Sequence, residues 1–191
     1  MSKTAYLVHG FNVRDGGRGT IDMMIPYFER CGWTVRQVDY DWTGLLGVRL
    51  CTKKIAKALS TTIQPGSVAV GHSNGCAVLH YAAQYGAPFS RLAYINPALN
   101  KDAPLADQVE ACHVWHSPSD RPVSLARWLP FHFWGEMGAK GYVGEDKRYV
   151  NHNKERDFPI RSYTHSDIFY LAKMAFFAPK IIQDLEPENG E

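Results

Sequence analysis

Ser67-Val68-Ala69-Val70-Gly71-His72-Ser73-Asn74-Gly75-Cys76-Ala77-Val78-Leu79 is the stretch that decides the fold. Its centre, Gly71 to Gly75, is a G-x-S-x-G pentapeptide. The short apolar run before it predicts a strand, and the small and apolar residues from Cys76 to Ala83 predict a helix. A serine at that junction sits on a sharp strand-to-helix turn, in a backbone conformation that typically costs about 1–3 kcal/mol. The turn lifts the hydroxyl clear of the sheet. The flanking glycines are required because a side chain there would collide with the neighbouring strand or helix. The helix that follows aims its first N–H groups, and its partial positive charge, at the space beside Ser73.

Toward the N-terminus, Ala5 to Val8 reads as a strand that runs into His9-Gly10-Phe11-Asn12. The glycine-rich segment from Val13 to Gly19 has neither the G-K-[ST] ending of a phosphate loop nor the G-x-G-x-x-G spacing of a dinucleotide site. It is read as a mobile loop. Thr20 is positioned to cap a helix that runs to about Arg30 and stops at Gly32. Trp33 to Tyr40 is a second strand. A helix from about Val48 to Ile63 carries Leu50, Ile55, Leu59 and Ile63 on one stripe. Past the pentapeptide, Leu92 to Ile95 and Ala111 to His116 are strands, and Lys147 to His152 is a weak candidate for an edge strand. The final helix spans about Asp167 to Leu185, with Ile168, Leu171, Ala172 and Ala175 as its expected core stripe. Alternating strands and helices call for a mostly parallel sheet of about six strands with helices on both faces. Residues 1–186 are expected to form one domain and 187–191 a flexible tail.

The chain has 191 residues, 45% hydrophobic and 21% charged, with a formal net charge of +2. That charge is too small to argue for nucleic acid or an anionic membrane surface as a partner. No apolar stretch reaches the length of a membrane span, and Met1-Ser2-Lys3-Thr4 lacks the pattern of a signal peptide. A cytoplasmic location is expected. Cys31, Cys51, Cys76 and Cys112 form no C-x-x-C pair and are read as reduced, mostly buried thiols.

A serine hydroxyl is a poor nucleophile unless a base takes its proton and an acid orients that base. After Ser73 the sequence offers Asp120, just past the fifth strand, and then His165, just before the last helix. In a parallel sheet, sites gather at the carboxyl ends of the strands. His9-Gly10-Phe11, Ser73, Asp120 and His165 all fall on that edge. The order Ser, Asp, His, with His-Gly-Phe ending the first strand, resembles the α/β-hydrolase superfamily across nearly the whole chain. It resembles in particular the small lidless members, cutinase-like or lipase-like, and small hydrolases of phage and bacterial genomes.

The resemblance implies a minimal α/β-hydrolase fold without a cap domain and a shallow, open site. It makes Ser73 the nucleophile, His165 the general base and Asp120 its orienting acid. The main-chain N–H groups of Phe11 and Asn74 become the oxyanion hole. The implied activity is hydrolysis of a small-molecule carboxylic ester or thioester through an acyl-enzyme, with no cofactor. The alternatives are a catalytically silent scaffold used for binding, or a peptidase or amidase on the same triad. Asp102 competes with Asp120 for the acid, and His132 and His152 compete with His165 for the base. His132 is expected to pack, and His152 to pair with Glu155 or Asp157. His72 is assigned to packing. His113 and His116 lie three apart on one strand, so they point to opposite faces and cannot share an ion. No metal site is expected. Tyr40, Trp42 and Trp134 are weak candidates for substrate contact. Trp128, Phe131 and Phe133 could line an acyl pocket or simply cover the sheet.

Overall fold

The computed structural model describes residues 3–11, 14–40, 45–120, 135–157 and 164–187. Among them the strands are β1 (Thr4–Val8), β2 (Thr34–Val38), β3 (Ser67–His72), β4 (Phe89–Ile95), β5 (Ala111–His116) and β6 (Tyr149–Asn153). They form one sheet in the order β2-β1-β3-β4-β5-β6, and every pairing is parallel. The helices are α1 (Ile25–Arg30), α2 (Leu45–Ser60), α3 (Asn74–Gln84), α4 (Met137–Lys140), α5 (Lys154–Asp157) and α6 (Leu171–Leu185). The chain order reverses between β1 and β3. That switch point opens a crevice at the carboxyl ends of the two strands.

Alternation along the strands builds two cores. Tyr6, Val8, Ala69, Leu92, Tyr94 and Val114 face α2 and α3. Leu7, Val68, Val70, Ala93, Ile95 and Trp115 face α1 and α6. The apolar run of β3 is buried throughout, as a central strand covered on both faces requires. No separate cap domain occurs among the described residues, and no helix there is long and apolar enough to cross a membrane.

Several expectations are corrected. Thr20 makes no capping bond; its hydroxyl donates to Gly17 O (3.3 Å), and a 3-10 turn over Ile21–Met24 precedes α1. The described part of the glycine-rich loop is held by Asp15, whose carboxylate accepts from Gly17 N (3.1 Å) and Gly19 N (2.9 Å). The last helix begins after a 3-10 turn at Asp167–Phe169, which shifts the phase of its buried face. Leu171 is 76% exposed, and Ala172 and Ala175 are exposed as well. The face that packs is Met174, Phe177, Ala178, Ile181, Ile182 and Leu185. Of the cysteines, Cys76 and Cys112 are buried, Cys51 is half-buried and Cys31 is exposed; all are free. Leu50 lies outside the residues whose side chains are described. The weak edge-strand candidate is realised as β6, paired with β5.

Candidate active site

Ser73 joins β3 to α3 with φ 54° and ψ −118°, a left-handed conformation rare for a residue with a side chain. The strain is held by three hydrogen bonds. Ser73 N donates to Ile95 O (2.9 Å), and Ser73 O accepts from Cys76 N (3.2 Å) and Ala98 N (3.1 Å). The glycines are demanded by contact. A Cβ on Gly75 would lie 2.3 Å from Val8 O and 2.5 Å from His9 O, so α3 approaches β1 only without it. A Cβ on Gly10 would lie 3.1 Å from Ser73 Cβ and 3.2 Å from His72 Nδ1.

The Asp120 carboxylate is fully buried at the end of β5. Both of its oxygens lie 3.0 Å from His165 Nδ1. A carboxylate only accepts, so Nδ1 carries a proton, and in the neutral ring Nε2 keeps its lone pair. Asp102, the rival acid, is exposed on the turn after β4. His165 is held against the elbow by its neighbour there. His72 Nε2 donates to His165 O (3.1 Å), their rings lie 5.0 Å apart, and Phe169 packs edge-on against His72 at 4.9 Å. Burial, followed by the nearby His165, pushes the pKa of His72 well below its ordinary value. His72 is therefore neutral, with its proton on Nε2, and it serves as a strut.

Behind Asp120 stands a buried polar chain that the sequence reading missed. Asn96 Nδ2 donates to Asp120 Oδ2 (2.6 Å). Asn96 Oδ1 accepts from the ammonium of Lys154, which is wholly buried. Asn96 itself is at φ 47°, a position for which asparagine is suited. Burial lowers the Lys154 pKa to about 8, against the pull of Asp167 and Asp120. Asp167 pairs with Lys173, which ties the 3-10 turn after His165 to α6. No motif marks Lys154 in the sequence.

Two peptides at the crevice are pinned at their carbonyls. Gly10 O accepts from His9 Nδ1 (2.9 Å) and from the Tyr40 hydroxyl (3.0 Å), which also reaches His9 O (2.9 Å). The same peptide plane carries the N–H of Phe11. Ser73 O, with its two donors, shares its plane with the N–H of Asn74. As the first residue of α3, Asn74 has no carbonyl one turn earlier to receive that N–H. The Asn74 side chain is buried, and Thr52 donates to its Oδ1 (3.3 Å). Tyr40, expected as a substrate contact, spends its hydroxyl on this brace, and its ring stacks on His9 at 4.2 Å. Burial drives its pKa above the ordinary range, so it remains a donor. Trp42, Trp134, Trp128, Phe131, Phe133 and His132 lie outside the described residues.

His152 does not pair with Glu155 or Asp157. It faces His113 and Asp184 and stacks on Trp115. Glu155 instead accepts from Ser117 Oγ (2.5 Å) and Ser119 N (2.7 Å), bracing the turn that leads to Asp120.

No family model matches the chain, and no curated protein matches it in sequence. Solved structures do resemble it. A monoacylglycerol lipase of Paleococcus ferrophilus superposes with a TM-score of 0.62 at 12% identity, over 95% of this chain and 93% of the other. A pyrethroid hydrolase of Sphingobium faniae gives 0.60 at 12% identity, over 96% and 97%. The mouse α/β hydrolase domain-containing protein 10 gives 0.60 at 11% identity, over 96% and 89%.

Proposed function

We propose that this chain, which has the α/β-hydrolase fold, is a serine hydrolase that cleaves carboxylic esters or thioesters of small molecules through an acyl-enzyme. The observation that carries the reading is the Asp120–His165 contact. A fully buried carboxylate on Nδ1 fixes the tautomer a base needs, leaving Nε2 of the neutral ring as the proton acceptor.

Ser73 Oγ attacks the acyl carbon as His165 Nε2 accepts its proton. Negative charge builds on the carbonyl oxygen and is met by the N–H groups of Asn74 and Phe11. Both peptides are already held through their carbonyls, so neither reorganises as the charge develops. One such donor is typically worth about 10²–10³ in rate. His165 then gives its proton to the leaving alkoxide or thiolate, and the acyl group stays on Ser73. A water deprotonated by His165 releases the acid and restores the serine. Asp120 stays ionised throughout and stabilises the imidazolium, while Asn96 and Lys154 act as positioning residues for Asp120.

The test is turnover of p-nitrophenyl esters of graded acyl length. The parent chain hydrolyses at least one of them. Ser73→Ala and His165→Ala lose about 10⁴-fold or more in kcat, with unchanged melting curves. Parent-like turnover by Ser73→Ala would remove Ser73 from the mechanism. No turnover of any ester by the folded parent would leave the scaffold without the proposed chemistry.

A further inference from the structure

A second cluster lies far from Ser73. His113 on β5, His152 on β6 and Asp184 in the last turn of α6 converge on one spot. His113 Nδ1 and His152 Nε2 are 3.0 Å apart. Asp184 Oδ2 lies 3.3 Å from the first and 3.2 Å from the second. Three donors around a tetrahedral ion at about 2.0–2.1 Å stand about 3.3 Å from one another, so the triangle already has the required size. The residue types, two imidazoles and one carboxylate, are those that zinc and its first-row neighbours prefer.

A separate observation points the same way. Asp184 Oδ2 is buried and makes no hydrogen bond, although it sits between two ring nitrogens. A proton shared between the imidazoles satisfies at most that pair, whereas a cation at the centre satisfies all three atoms. The rings meet nearly edge to edge, with centroids 5.3 Å and planes 20° apart. The two nitrogens face each other, so binding an ion requires each ring to turn about its Cβ–Cγ bond until both lone pairs meet at a common point. The side chains are 12%, 21% and 20% exposed, and they open onto a groove also lined by Asp157 and Lys180. Water can therefore fill the fourth position.

We propose that His113, His152 and Asp184 bind a divalent transition-metal cation of the zinc class, which staples the edge strand β6 and the end of α6 to β5. Residue spacing alone could not reveal the site. His113 and His116 do point to opposite faces, but His113 and His152 are diagonal neighbours on adjacent strands of the same face, since His152 pairs with Trp115. The site lies at the far end of α6 from His165, about 20 Å along the helix. It is independent of the acyl chemistry proposed above.

The test uses the full chain, freed of metal with a chelator and titrated with zinc and with cobalt. One ion is expected to bind per chain, and bound cobalt is expected to show the intense visible bands of a tetrahedral site. Trp115 stacks on His152 at 4.2 Å, so copper bound there is expected to quench its fluorescence. Zinc at a hundredfold excess over Kd is expected to raise the melting temperature by roughly 5–10 °C. His113→Gln and Asp184→Asn each lose the binding by at least tenfold, and their metal-free melting curves establish that they fold. Cys31→Ser with Cys51→Ser retains it. No binding by the folded parent, or binding unchanged in both His113→Gln and Asp184→Asn, overturns the proposal. So does binding that disappears with the two cysteines.

Discussion

Replacing Lys154 by methionine tests the buried chain behind Asp120 through the pH dependence of stability. Burial brings the Lys154 pKa down from 10.5 to about 8. Between those values the unfolded chain holds a proton that the folded chain has lost. Stability therefore rises with pH across that window, because the fold no longer has to keep a charge out of water. Full relief of a shift of that size is on the order of 3 kcal/mol. Between pH 6.5 and 9.5 the parent is expected to gain about 2 kcal/mol relative to Lys154→Met. The methionine has no proton to lose, and titrating groups that do not feel the Lys154 charge cancel in the difference. Near pH 7 the variant loses the donor to Asn96 but escapes the cost of the buried charge, so the two proteins are close in stability. By pH 9.5 the parent is clearly the more stable. The assay is urea unfolding of both proteins at half-unit steps of pH. A difference that stays constant across the range would refute a buried lysine titrating near 8.

Other substitutions follow from the same geometry. Tyr40→Phe removes one of the two donors on Gly10 O. It is expected to lower kcat about tenfold with little change in KM, measured on the best p-nitrophenyl ester. Asp120→Asn leaves the fold intact but takes the anionic acceptor from His165 Nδ1; kcat is expected to fall about 10³–10⁴-fold, read by the same assay. Gly75→Ala drives a Cβ into the carbonyls of Val8 and His9. It is expected to cost about 3 kcal/mol or more, seen as a lowered urea midpoint.

The fold was legible because its signals are local and repeated. Each apolar run between turn residues became a strand, and the G-x-S-x-G junction carried its own backbone geometry. The helix phase failed in one place. Ile168, Leu171, Ala172 and Ala175 look like one stripe only if a single helix runs from Asp167, and the turn at Tyr170 breaks that register. Within the candidate site, the pairing of His165 with Asp120 could be anticipated from residue order along the chain. Asn96 and Lys154 could not. They are 58 residues apart, and their bond exists only because β4 and β6 flank β5. The brace on Gly10 O from Tyr40 is of the same kind, made across 30 residues by two neighbouring strand ends.

Whether Ser73 is an activated nucleophile is read by intact mass after treatment with a fluorophosphonate, which reacts with serines activated as nucleophiles. One adduct is expected on the parent, none on Ser73→Ala, and strongly slowed labelling of His165→Ala and Asp120→Asn. An adduct that persists in Ser73→Ala, or folded parent that takes up none, would rule out Ser73 as that nucleophile.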